Sequence, residues 1–202
     1  MERSKRLLFA DLVSRVQRCD LCPRMKGRRK VLGPSNGNPD SPIVFIGEAP
    51  GRLGADKHGI PLWGDQTGKN FEALITSAGL RRETIFITNA ILCNPRTLRG
   101  NNDSPSKTEI RNCSGYLSEV LQIVGPKYVV PLGAIALASL NFFGPHGIKL
   151  SEGVGKVFQW QGYAVYPLYH PGPRAFVWRT KAQQIEDYKN LAALLDSSVS
   201  VA

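Results

Sequence analysis

An α/β fold of three layers, α/β/α, around a central, mostly parallel four-stranded sheet is what the sequence predicts. Three observations carry that expectation. Four short apolar runs rich in β-branched and aromatic residues recur at 42–47 (PIVFIG), 84–90 (TIFITNA), 127–133 (KYVVPLG) and 164–170 (AVYPLYH). They are continuous rather than alternating, as strands covered on both faces require. Segments of helical spacing separate the first three, the pattern of a crossover between parallel strands.

In chain order, residues 6–18 have the spacing of a flanking helix, and 42–47 form the first strand. A helix is expected over 69–80 (KNFEALITSAGL), ended by Gly79 as a C-cap, and then the second strand at 84–90. The segment 106–124 opens on Ser106 with Glu109 three residues on, which is a capping box. The third strand at 127–133 runs directly into a helix over 134–143. Residues 151–163 alternate and turn at Gly162, as a small hairpin or edge strand would, before the fourth strand at 164–170. A last helix is expected over 180–196. The whole chain, 1–202, reads as a single domain with an N-terminal arm that bears Cys19 and Cys22.

Hydrophobic residues make up 42% and charged residues 21%, the balance of a globular chain. No window holds eighteen consecutive apolar residues and the N-terminus lacks a signal-peptide pattern, so neither a membrane span nor export is expected. A monomer in the cytoplasm is expected, or at the nucleoid if the source is a prokaryote. The formal charge of +10 suits a polyanionic partner, with basic residues grouped at 23–30, 80–82 and around Arg174 and Arg179. A basic but merely solvated surface is the competing reading of the same charge.

Cys19 and Cys22 form a C-x-x-C; Cys93 and Cys113 stand far along the chain. Four thiols in a chain without an export signal favour metal over disulfides, and the set suits zinc or a [4Fe–4S] cluster alike. Gly and Pro gather at the carboxyl ends of the strands, in GEAPG, NPRTLRGNNDSP and HPGPR. Ligands bind at that edge in open α/β sheets. There, Gly47 and Gly51 let backbone N–H groups approach a ligand. Asn89 offers a base edge one acceptor and two donors, and His170 can donate to an oxygen that gains charge. Asp65, in GIPLWGDQTG, either caps the following helix or carries chemistry. His58 and His146 lack such context and are assigned to surface loops.

With GEAPG (47–51), GIPLWGDQTG (59–68), ITNAILCNP (87–95), VVPLGAIA (129–136), YHPG (169–172) and the cysteine set, the chain resembles the uracil-DNA glycosylase superfamily. The likeness is to its iron–sulfur branches, families 4 and 5, and extends from about Cys19 to Arg174. Glu48 in GEAPG matches family 4, whereas the GD-x-[ST]-G around Asp65 matches family 5.

This resemblance implies a [4Fe–4S] cluster on Cys19, Cys22, Cys93 and Cys113. It also implies DNA containing uracil or other deaminated bases as substrate, and the departure from the family pattern at Leu62 adds hypoxanthine to the expected range. The implied activity is monofunctional base-excision repair: hydrolysis of the N-glycosidic bond of a base flipped from the stack. Asp65 or Glu48 would supply the carboxylate, with Asp65 preferred, Asn89 the base-reading amide, and His170 the hydrogen bond to the leaving base. Gly47, Glu48, Ala49, Leu62, Trp63, Asn89 and His170 would line the base pocket. Leu62 stands where relatives carry the stacking aromatic, with Trp63 alongside. The loop that enters DNA would use Arg174, Ala175 or Phe176. A non-catalytic binder of uracil-containing or single-stranded DNA would share the pocket without turnover.

Overall fold

The computed structural model describes residues 4–197. Its elements are α1 (Lys5–Gln17), β1 (Ile43–Gly47), the single turn α2 (Ala55–His58), α3 (Gln66–Ser77), β2 (Phe86–Asn89) and α4 (Lys107–Val124). They continue with β3 (Tyr128–Pro131), α5 (Ala134–Ser139), α6 (Leu150–Gly153), β4 (Phe158–Trp160), β5 (Tyr163–Val165) and α7 (Lys181–Ser197).

The sheet has five strands in the order β2-β1-β3-β5-β4. Neighbours from β2 to β5 run parallel, and β4 closes the edge antiparallel to β5. The α/β expectation therefore holds, with one strand more than the four expected. The segment 151–163 divides: its start belongs to α6, and its end supplies β4. The fourth apolar run is regular strand only to Val165, because Pro167 has no N–H to donate. Leu168 rejoins the sheet through a parallel bridge to Leu132, and that contact carries the chain on to His170. The helix expected over 134–143 stops at Ser139 and goes on as a 3₁₀ turn, Leu140–Phe142.

Alternation along the strands fills two cores. Val44 and Ile46 of β1 face Leu12 and Val16 of α1 and Val120 of α4; Ile43 and Phe45 face Phe71 and Leu74 of α3 and Tyr188 of α7. Each such side chain contributes about 1.5–3 kcal/mol on burial, so the helices are held mainly by these faces. The capping box of α4 is present, with Ser106 Oγ accepting from the Glu109 N–H and Glu109 Oε2 accepting from the Ser106 N–H at 2.8 Å. α3 begins three residues before the expected start, because Asp65 rather than a later residue is its N-cap. Among the described residues no helix is long and apolar enough to cross a membrane.

Candidate active site

Strand register brings the rim residues together. Gly47 and Asn89 are partners at the ends of β1 and β2. Beyond β3, the Gly133 N–H donates to the Leu168 carbonyl at 2.8 Å. A Cβ at residue 133 would lie 3.3 Å from the His170 Cβ. Four neighbouring segments of the sheet thus place Asn89, Gly47, Gly133 and His170 side by side. At 47 only glycine fits, since Asn89 Oδ1 occupies the space of a side chain there.

The Asn89 side chain is 2% exposed, and its Nδ2 is buried without a hydrogen-bond partner. A buried amide donor left unpaired costs about 1–3 kcal/mol, a penalty that a ligand oxygen at this point would remove.

Asp65 divides its work between two oxygens. Oδ1 accepts from the Gly68 N–H at 2.9 Å and caps α3. Oδ2 turns to the chain after β1, so closely that a Cβ at Gly54 would stand 2.5 Å from it. Among the described residues no side chain or N–H donates to Oδ2.

His170 lies close enough to feel the Asp65 charge. Burial nevertheless holds its pKa below the ordinary imidazole value, with Asp65 opposing the shift in part. Its Nδ1 accepts from the Gly172 N–H at 3.1 Å, so the proton of the neutral ring sits on Nε2. The ring is fixed from α3: Asn70 Nδ2 donates to the Pro171 carbonyl at 2.8 Å, and Gln66 Nε2 donates to Asn70 Oδ1 at 2.9 Å. Glu48, half-buried, has its pKa raised by burial, against which a hydrogen bond with Ser104 works.

The other expected site residues are distributed more widely. Ala49 packs beside Met25, Ile91 and Ile110, next to the cysteines. Leu62 is buried in the core under α3 with a left-handed φ of 48°, an arrangement that costs a non-glycine residue about 1–2 kcal/mol. Trp63 is half-exposed, with the Arg82 guanidinium 5.5 Å from its ring centroid. Arg174 is exposed in the 3₁₀ turn Pro173–Val177, whereas Ala175 and Phe176 are half-buried. The apolar tip of that loop is Val177 and Trp178, 82% and 78% exposed, which the sequence reading missed. The signal was the apolar triplet FVW in a segment without strand or helix periodicity. His58 ends α2 rather than lying in a loop, and His146 is bound to the Leu137 carbonyl and the Ile148 N–H.

All four cysteines line one cavity, together with Leu21, Met25, Ile91 and Asn112. Cys19 and Cys22 reach it from the segment after α1, Cys93 from the segment after β2, and Cys113 from α4. None is in a disulfide. Burial pushes the thiol of Cys93 up to about 11 and that of Cys113 to about 12. The loop that follows Cys93 is tied down on the chain after β1. Asn94 Nδ2 donates to the Pro50 carbonyl at 2.6 Å, and Arg96 pairs with the buried carboxylate of Asp56. Arg96 is thereby withdrawn from the free basic surface, as is Arg24, which pairs with Glu109 and Asp103.

The family model of the uracil DNA glycosylase superfamily matches residues 34–192. A type-4 uracil-DNA glycosylase of Archaeoglobus fulgidus is 32% identical over 189 residues, covering 91% of this chain and 92% of that protein. A type-4 uracil-DNA glycosylase of Saccharolobus solfataricus is 34% identical, over 93% of this chain and 87% of the relative. A type-5 uracil-DNA glycosylase of Pyrobaculum aerophilum is 29% identical, over 82% and 83% respectively.

Proposed function

Because the chain belongs to the uracil-DNA glycosylase superfamily, we propose that it excises uracil from DNA as the first step of base-excision repair, using Asn89, His170 and Asp65. The observation that carries this reading is the orphaned, buried Nδ2 of Asn89, beside a neutral His170 and a carboxylate oxygen that no protein group occupies. Uracil offers what these groups lack. Its O4 accepts from Asn89 Nδ2, and its N3–H donates to Asn89 Oδ1. Cytosine presents an amino group in place of O4 and leaves the donor unpaired, at a cost of about 1–3 kcal/mol.

In the reaction the bond between the base N1 and the sugar C1′ breaks, and its electron pair leaves on the base. Negative charge collects on the uracil oxygens, where His170 Nε2–H donates a hydrogen bond. The sugar becomes cationic, and Asp65 Oδ2 faces that charge and takes a proton from the water that adds to C1′. No lysine stands among these groups to form a Schiff base, so an abasic site is the product. All of these groups come from one chain, and a monomer inside the cell is sufficient.

The cysteines suit a [4Fe–4S] cluster. Four unpaired thiols from three segments face one cavity whose walls are otherwise mainly apolar. A cluster bound there would supply the positive charge that keeps buried thiolates ionised. Cys19, Cys22, Cys93 and Cys113 would then tie the N-terminal arm to the loop braced on the chain after β1.

The test is incubation of the protein with a labelled oligonucleotide that contains one uracil, with abasic sites counted by alkaline cleavage. Turnover that Asn89→Ala reduces supports the reading. Tight binding with no abasic sites, from protein with its metal content verified, would establish the non-catalytic binder instead.

A further inference from the structure

Arg82 lies in a basic cluster of the sequence, yet its side chain is only 16% exposed and its donors point inward. Nη1 donates to the Pro61 carbonyl and Nη2 to the Leu62 carbonyl, both at 2.9 Å. Nε donates to Glu72 Oε1 at 2.7 Å, and Nη2 reaches the same oxygen. The guanidinium plane also lies 5.5 Å from the Trp63 ring centroid and 5.7 Å from that of Phe71. A single rigid fork thus grips both carbonyls around Leu62, the residue held at positive φ, and backs the ring of the next residue.

The far side of the same turn is equally confined. A Cβ at Gly68 would lie 2.7 Å from the Trp63 Cα and 2.9 Å from the Leu62 oxygen. The turn is therefore pressed between Arg82 and the first turn of α3. Two residues beyond Trp63 stands Asp65. A shift of the 61–64 backbone would move both the Leu62–Trp63 wall and the Asp65 carboxylate.

We infer that Arg82 is a positioning residue for the base pocket, holding the Leu62–Trp63 wall and, through it, the register of Asp65, and that it is not a ligand for DNA phosphate. This inference rests on the proposed excision of uracil. Glu72 neutralises the guanidinium, which leaves it little free charge to offer a polyanion.

Arg82→Lys separates the two roles, because lysine keeps the charge but loses the planar fork. Single-turnover excision at saturating uracil DNA should fall about 10–100-fold in Arg82→Lys and in Arg82→Ala, the range that misplacement by about an ångström produces. The slope of log Kd against log salt should stay at the wild-type value in both. Hydrogen exchange should quicken at amides 62–68 and not in the cysteine arm. If Arg82→Ala does not fold, Arg82→Lys alone decides. Wild-type rate in Arg82→Lys overturns the inference. So does a salt slope reduced by about one in Arg82→Ala with the saturated rate kept, which marks a phosphate contact. Should the wild-type protein leave uracil in place, the functional reading fails, and exchange at 62–68 in Arg82→Lys still judges the clamp.

Discussion

Asp65→Asn separates a helix cap from a catalytic carboxylate, since the two roles fall on different oxygens. Asparagine keeps an oxygen to accept from the Gly68 N–H and is as good an N-cap as aspartate. Only the negative charge at the start of α3 is lost, worth about 0.3–1 kcal/mol. Asp65→Ala loses the cap as well, about 1 kcal/mol more, or about 2–4 °C in Tm for a chain of this length. In the proposed mechanism the chemistry follows the charge, not the cap. A carboxylate that handles a proton in the transition state contributes about 10²–10⁴-fold, so both variants should lose that factor in single-turnover excision. The assay is gel-resolved release of uracil under enzyme excess, with thermal melts on the same preparations. Equal rate loss with unequal Tm is the expected result. If Asp65→Asn excises within threefold of wild type while Glu48→Gln does not, Asp65 is a cap only and the carboxylate role belongs to Glu48.

Burial keeps His170 neutral, so the excision rate should stay level as pH falls from 7 through about 6.5, the ordinary imidazole value, and drop only as pH passes the lowered pKa of the folded protein. The sign for stability is the same: a depressed folded pKa leaves the His170 contribution whole above the ordinary value and erodes it as pH falls through the lowered one. A rate that climbs between pH 7 and 6 would mean the protonated ring is the active form. Cys113→Ser should lose visible charge-transfer absorption and bound iron together, and its loop 94–106 should exchange amide protons faster; bound zinc in place of iron would refute the cluster. Trp178→Ala should weaken binding of uracil DNA by about 1–3 kcal/mol, the worth of stacking on one base, with Tm unchanged because the ring is exposed. Phe176→Ala should do the reverse, costing stability more than binding, since that ring is half-buried.

Strands and caps were legible in the sequence because their causes are local. Ser106 with Glu109, the apolar runs of β1 to β3, and glycines at the strand ends each announce a backbone state within a few residues. The fate of charged side chains was not legible, because it depends on partners far along the chain. Arg24 and Arg82 read as basic surface, yet each is paired with a carboxylate that only the fold brings near. Leu62 was similarly opaque. Nothing local says that a leucine adopts positive φ; distant donors from Arg82 hold it there. The edge strand β4 was legible only as a short alternating stretch before the turn at Gly162, since three residues paired on one side carry too weak an alternation to fix its bounds within 151–163.

One helix fixes the relation between the two groups proposed to act on opposite sides of the scissile bond. α3 carries Asp65 at its N-cap and, five residues on, Asn70, whose amide holds the Pro171 carbonyl next to His170. The same turn buries Phe71 against Phe45 and Tyr188, so α3 cannot tilt without opening the core. A carboxylate that meets a cationic sugar and an imidazole that meets an anionic base must keep their separation as charge develops between them. Loops alone would allow that separation to drift. Here both loops are tied to one packed helix, which pre-organises the pair before substrate arrives.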